Sequence, residues 1–210
     1  MPETPVRLYT DGTPAPKRIG IYGGTFDPVH NAHLDIARAA LESAHLDKVL
    51  FVVAARPPHK RDDTYASPEQ RLAMVEAALE GEPRMEACGI ELDRDGPSYT
   101  GDTVVEIERI CPGAKLFLII GMDSLIDLPN WRDPGRILSR AHLLVVPRPG
   151  NGRVIPESLA GKYDLLPFDE TDVSSTDIRG RIQRGASFAE LVPPAVERVI
   201  RDAGIYHARV

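Results

Sequence analysis

Two hydrophobic rhythms alternate along the chain. Unbroken, β-branched-rich runs fall at 18–22 (RIGIY), 48–55 (KVLFVVAA), 115–120 (KLFLII) and 142–146 (HLLVV). Such runs mark strands buried on both faces. MEACGIEL at 85–92 and a short stretch at 163–168 extend the set. Between them the spacing becomes helical. In 31–45, Leu34, Ala37 and Leu41 share a stripe with Ile36 on its flank. Ser67-Pro68-Glu69 opens a helix carried by Arg71–Leu79, with Ser as cap and Pro in the first turn. Gly81 and Pro83 end it. Further helices are expected over 100–110, 174–184 and 194–203. The stretches 56–66 and 121–134 have little period and read as loops.

Strands alternating with helices predict an α/β fold: a doubly wound, Rossmann-like parallel sheet in three α/β/α layers. It is expected as a single domain over 17–210. Residues 1–16, rich in Pro and Thr and without period, are expected to be a disordered extension. In such sheets ligands sit beyond the carboxyl ends of the strands. The loops after Tyr22, Ala54, Ile120 and Phe168 are therefore the places to look for chemistry.

Composition narrows the class. Of 210 residues, 42% are apolar and 27% charged, the profile of a water-soluble globular chain. No run approaches the roughly 18 apolar residues of a membrane span, and the first residues lack the apolar core of a secretory signal. The expectation is a cytoplasmic protein with no membrane partner. The net charge of −6 argues against nonspecific nucleic-acid binding, so an anionic ligand must be held by a local site. Cys88 and Cys111 form no CxxC pair and read as reduced structural residues. No protein metal site is expected.

The local site is found in the first loop, GGTFDPVHNAHL at 23–34. Gly23 and Gly24 let the backbone turn tightly and approach a ligand. Pro28 is expected in the first turn of the coming helix, where its missing N–H would be unpaired anyway. His30 and His33, three apart, share a face at that helix's N-terminus. Two imidazoles and free amide N–H groups aimed at one point make a phosphate site. The same spacing is also met when one histidine caps a helix and the other fills a core, and a zinc pair would need a third ligand. Neither GxGxxG nor GxxxxGK[ST] occurs, which disfavours a dehydrogenase and a P-loop ATPase.

The whole string, Gly23 to Leu34, resembles the signature of the nucleotidyltransferase superfamily with the [HT]xGH motif. It is most similar to that of the bacterial nicotinate-nucleotide adenylyltransferases. Ala32 is a departure, since the family has Gly there. The resemblance continues in order along roughly 18–205. It takes in Pro57-Pro58-His59-Lys60, then Pro97-Ser98-Tyr99-Thr100 with Asp102-Thr103. Gly121-Met122-Asp123-Ser124-Leu125, Trp131, and Val173-Ser174-Ser175-Thr176-Asp177-Ile178-Arg179 follow. Arg132 stands where Tyr is common in the family.

The resemblance implies transfer of AMP from ATP to nicotinate mononucleotide, giving deamido-NAD and pyrophosphate in NAD biosynthesis, with Mg²⁺ arriving on ATP. His30, His33 and Arg179 would be the catalytic donors. Gly23, Gly24, Thr25, Phe26, Gly121, Asp123, Ser174, Ser175 and Thr176 would complete the ATP site, with Asp123 on a ribose hydroxyl. Ser174 is expected to cap its helix in a box with Asp177, whose carboxylate should face away from phosphates. Lys60, with help from His59, would meet a substrate phosphate. Trp131 would stack on the pyridine ring, and Tyr99, Thr100 and Arg132 would hold the nicotinate end. The alternatives are nicotinamide mononucleotide or phosphopantetheine as acceptor, a cytidylyltransferase, a non-catalytic nucleotide sensor on the same fold, and a zinc hydrolase. A homo-oligomer is left open.

Overall fold

Each apolar run becomes a strand of one sheet. The computed structural model describes residues 17–56, 65–147, 155–169 and 172–207. The strands are β1 (Arg18–Gly24), β2 (Lys48–Val53), β3 (Met85–Cys88), β4 (Lys115–Gly121), β5 (Ala141–Val146) and β6 (Tyr163–Leu165). Their order is β3-β2-β1-β4-β5-β6, and every neighbouring pair is parallel.

Side chains alternate across the sheet and divide the core in two. Ile19, Ile21, Leu50, Val52, Leu118 and Val145 point to one face. There they meet Val104 and Ile107 of α3 (Thr100–Ile110), Leu125 of α4 (Met122–Asp127) and Ile137 of α5 (Pro134–Leu138). Tyr22, Val49, Phe51, Phe117, Ile119 and Leu144 point to the other. That face is covered by α1 (Asn31–Ser43), α2 (Pro68–Ala78), α6 (Ser175–Gln183) and α7 (Pro194–Asp202). This is the three-layer architecture the pattern predicts. The order reverses between β1 and β4, which opens a crevice at their carboxyl ends.

Three sequence expectations need correction. The strand expected over 85–92 stops at Cys88. Beyond it the chain turns, Leu92 N–H donating to the Gly89 carbonyl at 2.8 Å, and the buried Glu91 carboxylate accepts from Thr103 Oγ1 at 2.5 Å. The strand expected over 163–168 ends at Leu165, with one further ladder bond from Leu166 N–H to Val145 O. The expected loop 121–134 folds as α4, a 3₁₀ turn (Leu128–Asn130) and the start of α5. Each piece is too short to display a period, yet Leu125, Leu128 and Ile137 are fully buried.

Two buried polar residues organise the carboxyl ends of β1 and β2. Arg71 of α2 is 1% exposed. Its Nη1 donates to the carbonyls of Thr25 (2.8 Å) and Ala54 (2.7 Å), its Nη2 to Ala55 (3.3 Å) and its Nε to Ala66 (3.3 Å). Asp27 is equally hidden. Its carboxylate accepts from the N–H groups of Tyr65 (2.9 Å) and Ala66 (3.2 Å) and from the Tyr206 hydroxyl (2.7 Å). Burial disfavours the Arg71 charge and the nearby Asp27 carboxylate partly restores it. Arg71→Leu would strand the Ala66 carbonyl, which is buried, and three partly buried carbonyls. It is expected to lower the unfolding free energy by about 3 kcal/mol. Urea unfolding checks this, and a loss of under about 1 kcal/mol would mean that solvent replaces the guanidinium.

Candidate active site

A cavity of about 630 Å³ opens at the β1/β4 reversal. It brings together Gly23, Gly24 and Thr25 after β1, Gly121 after β4, and the aromatic pair Tyr99 and Trp131, with Thr100 and Arg132 beside them. The start of α3 is tied to the end of β2. Ser98 Oγ accepts from Ala55 and Arg56 N–H, both at 3.2 Å, and Ser98 N–H donates back to the Arg56 carbonyl. Trp131 is half-buried, its Nε1–H bonded to Asp127 Oδ2 at 3.2 Å. The Arg132 guanidinium lies 4.5 Å over the Tyr99 ring. Asp133, in the left-handed region at φ 51°, caps α5 beside it.

Among the described residues that line the cavity, only Glu91 and Arg132 are charged. Glu91 is satisfied by Thr103. The carboxylates near Arg132 serve other groups: Asp102 pairs with Arg136 at 2.6 Å, and Asp133 accepts from the Arg136 N–H. The cavity thus holds an aromatic wall and one cation. Asp123 falls in the first turn of α4 and does not line the cavity, whereas its neighbour Ser124 does.

The two histidines lie at the start of α1. His30 is its N-cap and is buried. Its N–H donates to His33 Nδ1 at 3.2 Å, which leaves the His33 proton on Nε2. The imidazoles stack with centroids 3.6 Å apart. His33 is also held by edge contacts to Tyr22 and Phe26. Burial lowers His30 from 6.5 to about 4. Burial and the neighbouring His30 push His33 well below 6.5. Both rings are therefore neutral at pH 7.

The Phe26 side chain faces the core. Its ring is 3% exposed and packs against Tyr22 and Phe51, with the backbone at φ 49°. It also explains one glycine: a Cβ on Gly24 would stand 2.8 Å from Phe26 Cζ. Ala32, the departure from the family pattern, is 5% exposed, so its methyl is packed inside the protein.

The first turn of α6 docks on the turn leading into α1. Ser174 caps α6, accepting from Asp177 N–H at 3.1 Å. The expected capping box is only half formed, because the Asp177 carboxylate turns to Arg181 Nε at 2.9 Å, away from the α6 N-terminus. Ser175 Oγ donates to the Pro28 carbonyl at 2.9 Å, which commits its proton to structure. Arg179 Nη1 donates to the Asp27 carbonyl at 2.8 Å, and its Nη2 to Thr176 Oγ1 at 3.3 Å. Its Nε and His30 Nδ1 are the buried side-chain polar atoms with no partner among the described residues. Both point to a missing acceptor or donor at this place.

The structure therefore groups the predicted residues in two sets, the cavity and the helix starts. Pro57, Pro58, His59 and Lys60 lie outside the described residues. Asp27 and Arg71 are the organising residues that sequence reasoning did not assign. Arg71 falls inside a helical pattern, where an arginine ordinarily marks the solvent face. Among the described residues no group of three His, Cys, Asp or Glu could hold a metal ion, and no helix is long and apolar enough to cross a membrane.

A sequence model described as cytidylyltransferase-like matches residues 21–181. The chain is 43% identical over 189 residues to a protein of Thermus thermophilus named "Probable nicotinate-nucleotide adenylyltransferase", covering 90% of this chain and 99% of that one. It is 40% identical over 199 residues to a Synechococcus protein of the same name, covering 92% and 96%. In fold it is similar to the Plasmodium falciparum nicotinic acid mononucleotide adenylyltransferase solved with NaAD. There the TM-score is 0.75 at 18% identity, covering 90% of this chain and 97% of that one.

The depressed histidines have a consequence for pH. Between 6.5 and about 4 the unfolded chain binds a proton at His30 that the folded chain refuses, so stability falls as pH drops through that window. Histidine proton NMR of the free protein should show neither His30 nor His33 titrating between about pH 8 and about pH 5.5. A midpoint near 6.5 in either ring would overturn this.

Proposed function

The chain belongs to the cytidylyltransferase-like family and, among its members, to the nicotinate-nucleotide adenylyltransferases. From that premise we propose how its residues carry AMP from ATP to nicotinate mononucleotide. The observation that carries the proposal is the pair of buried, unpartnered nitrogens, His30 Nδ1 and Arg179 Nε, at two helix starts. His30 follows the turn whose first residues, Gly23 to Thr25, line an aromatic cavity at the sheet's reversal point, and Arg179 of α6 is bonded to that turn at the Asp27 carbonyl.

A phosphate oxygen of the mononucleotide attacks the α-phosphorus of ATP. The bond from that phosphorus to the bridging oxygen of the β-phosphate breaks, and pyrophosphate leaves. The attacking phosphate is already an anion, so the protein needs no general base and forms no covalent intermediate. Its work is positioning and charge neutralisation. His30 and His33, neutral when free, offer N–H donors around the reacting phosphorus. Arg179, Ser174, Thr176 and the N-terminus of α6 receive the leaving phosphates. The Ser175 contribution is its backbone N–H, since its hydroxyl is bonded to Pro28. Gly23, Gly24, Thr25 and Gly121 let backbone approach the nucleotide. Mg²⁺ would arrive on the ATP phosphates and keep most of its own waters. Bound there, it neutralises charge on the leaving pyrophosphate.

Trp131 stacks on the pyridine ring, Tyr99 and Thr100 flank it, and Lys60 holds the mononucleotide phosphate. Among the described residues, Arg132 is the one cation lining the cavity, and it has no carboxylate partner there. It suits the acid of nicotinate over the uncharged amide of nicotinamide.

Pyrophosphate release with MgATP, compared across nicotinate mononucleotide, nicotinamide mononucleotide and phosphopantetheine, tests the proposal. Nicotinate mononucleotide is expected to be the fastest acceptor. Release with another acceptor alone would reassign the substrate, and none with any would leave a nucleotide-binding protein. His30→Ala should cost roughly 100- to 1000-fold in turnover. Arg132→Gln should cut the preference for acid over amide by about tenfold, and an unchanged ratio would remove Arg132 from ring recognition.

A further inference from the structure

We propose that Tyr65 is a positioning residue for Arg179: it fixes the guanidinium plane beside the α1 and α6 starts without consuming its charge or its donors. This rests on the reading of Arg179 as a phosphate ligand.

Tyr65 is 57% exposed, one of two large hydrophobic residues left so open among those described. The other, Leu165, borders a smaller cavity whose charged residues are already engaged. There Arg18 bonds the Ala44 carbonyl and His142 pairs with Asp164. Tyr65 differs because its ring has a partner of functional kind. The Arg179 guanidinium lies over it, 4.6 Å from the ring centroid.

The two residues are held to the same anchor from opposite sides. Tyr65 N–H donates to the Asp27 carboxylate at 2.9 Å, and Arg179 Nη1 donates to the Asp27 carbonyl at 2.8 Å. The guanidinium is thus fixed along one edge by Asp27 O and Thr176 Oγ1 and across one face by the ring. Nothing in that set is an anion touching Arg179. Had a carboxylate held the guanidinium, it would have neutralised the charge and taken a pair of donors. An aromatic face attracts a cation through its quadrupole and takes no N–H. Arg179 therefore keeps a full positive charge and the unpartnered Nε. Holding its plane in advance spares the ordering cost when a polyphosphate binds.

The test uses the full-length protein with Tyr65→Leu, Tyr65→Phe and each change in an Arg179→Ala background. Tyr65→Leu should lower kcat/KM for MgATP about fivefold with the KM for nicotinate mononucleotide unchanged. Tyr65→Phe, which keeps the ring and loses only the hydroxyl, should stay within about twofold of wild type. In the Arg179→Ala background Tyr65→Leu should cost nothing further. Equal losses for Leu and Phe, or a full additional loss without Arg179, would overturn the proposal. Calorimetric binding of inorganic tripolyphosphate gives a readout independent of turnover, with affinity about fivefold weaker in Tyr65→Leu. A wild type that releases no pyrophosphate would sink adenylyl transfer, while the tripolyphosphate comparison would still decide the role of Tyr65. Equal tripolyphosphate affinities for wild type and Tyr65→Leu would end it.

Discussion

The guanidinium of Arg71 holds together chain segments that would otherwise have no reason to stay in register. Parallel strands end in loops whose carbonyls cannot find partners in the ladder. At the ends of β1 and β2 those carbonyls are partly buried, and each one left bare would cost free energy of desolvation. A planar group with five donors can serve several at once. Arg71 does so for Thr25, Ala54, Ala55 and Ala66. Lysine could not reproduce that fork. The burial cost of the charge is met by the carbonyl dipoles and by Asp27. Asp27 in turn collects Tyr65, Ala66 and, from beyond α7, Tyr206. The phosphate loop is thereby fixed by residues 38 to 179 positions away.

This scaffold explains why an acidic chain can hold polyphosphate. The net charge of −6 gives no attraction at long range. In the proposed site Arg179 is joined by groups that cost little to keep buried before ligand arrives. Neutral imidazoles and helix-end N–H groups carry no full charge to desolvate. The depressed His30 and His33 are the expression of that economy. An incoming polyanion would favour their protonated forms, so the same burial leaves room for charge to grow as the ligand enters.

The fold was legible because buried parallel strands write themselves as unbroken apolar runs, and the runs at 18–22, 48–55, 115–120 and 142–146 all became neighbours in one sheet. The loop at 23–34 stood out for a different reason, since its residue types and order resemble a known signature. What escaped has physical causes. The helical turns of 121–134 are shorter than a period and are made by burial of Leu125, Leu128 and Ile137. The inward turns of Phe26 and Arg71 depend on partners far away in sequence, which no local pattern encodes. The bond from the Ser175 hydroxyl to the Pro28 carbonyl, 147 residues away, is likewise one that no local pattern encodes.

The division of the core also divides the proposed chemistry. The aromatic cavity belongs to the face covered by α3, α4 and α5, while His30, His33 and Arg179 belong to the face covered by α1 and α6. One strand end is common to both: β1 finishes at Gly24, and the residues after it line the cavity before turning into α1. A side chain at Gly24 would strike Phe26, which itself must turn inward to support His33. The bare backbone at 23–24 is therefore the floor over which a ring bound on one face and a polyphosphate bound on the other can meet. The sheet's reversal point supplies the opening, and Arg71 and Asp27 keep that floor from moving as the two reactants approach.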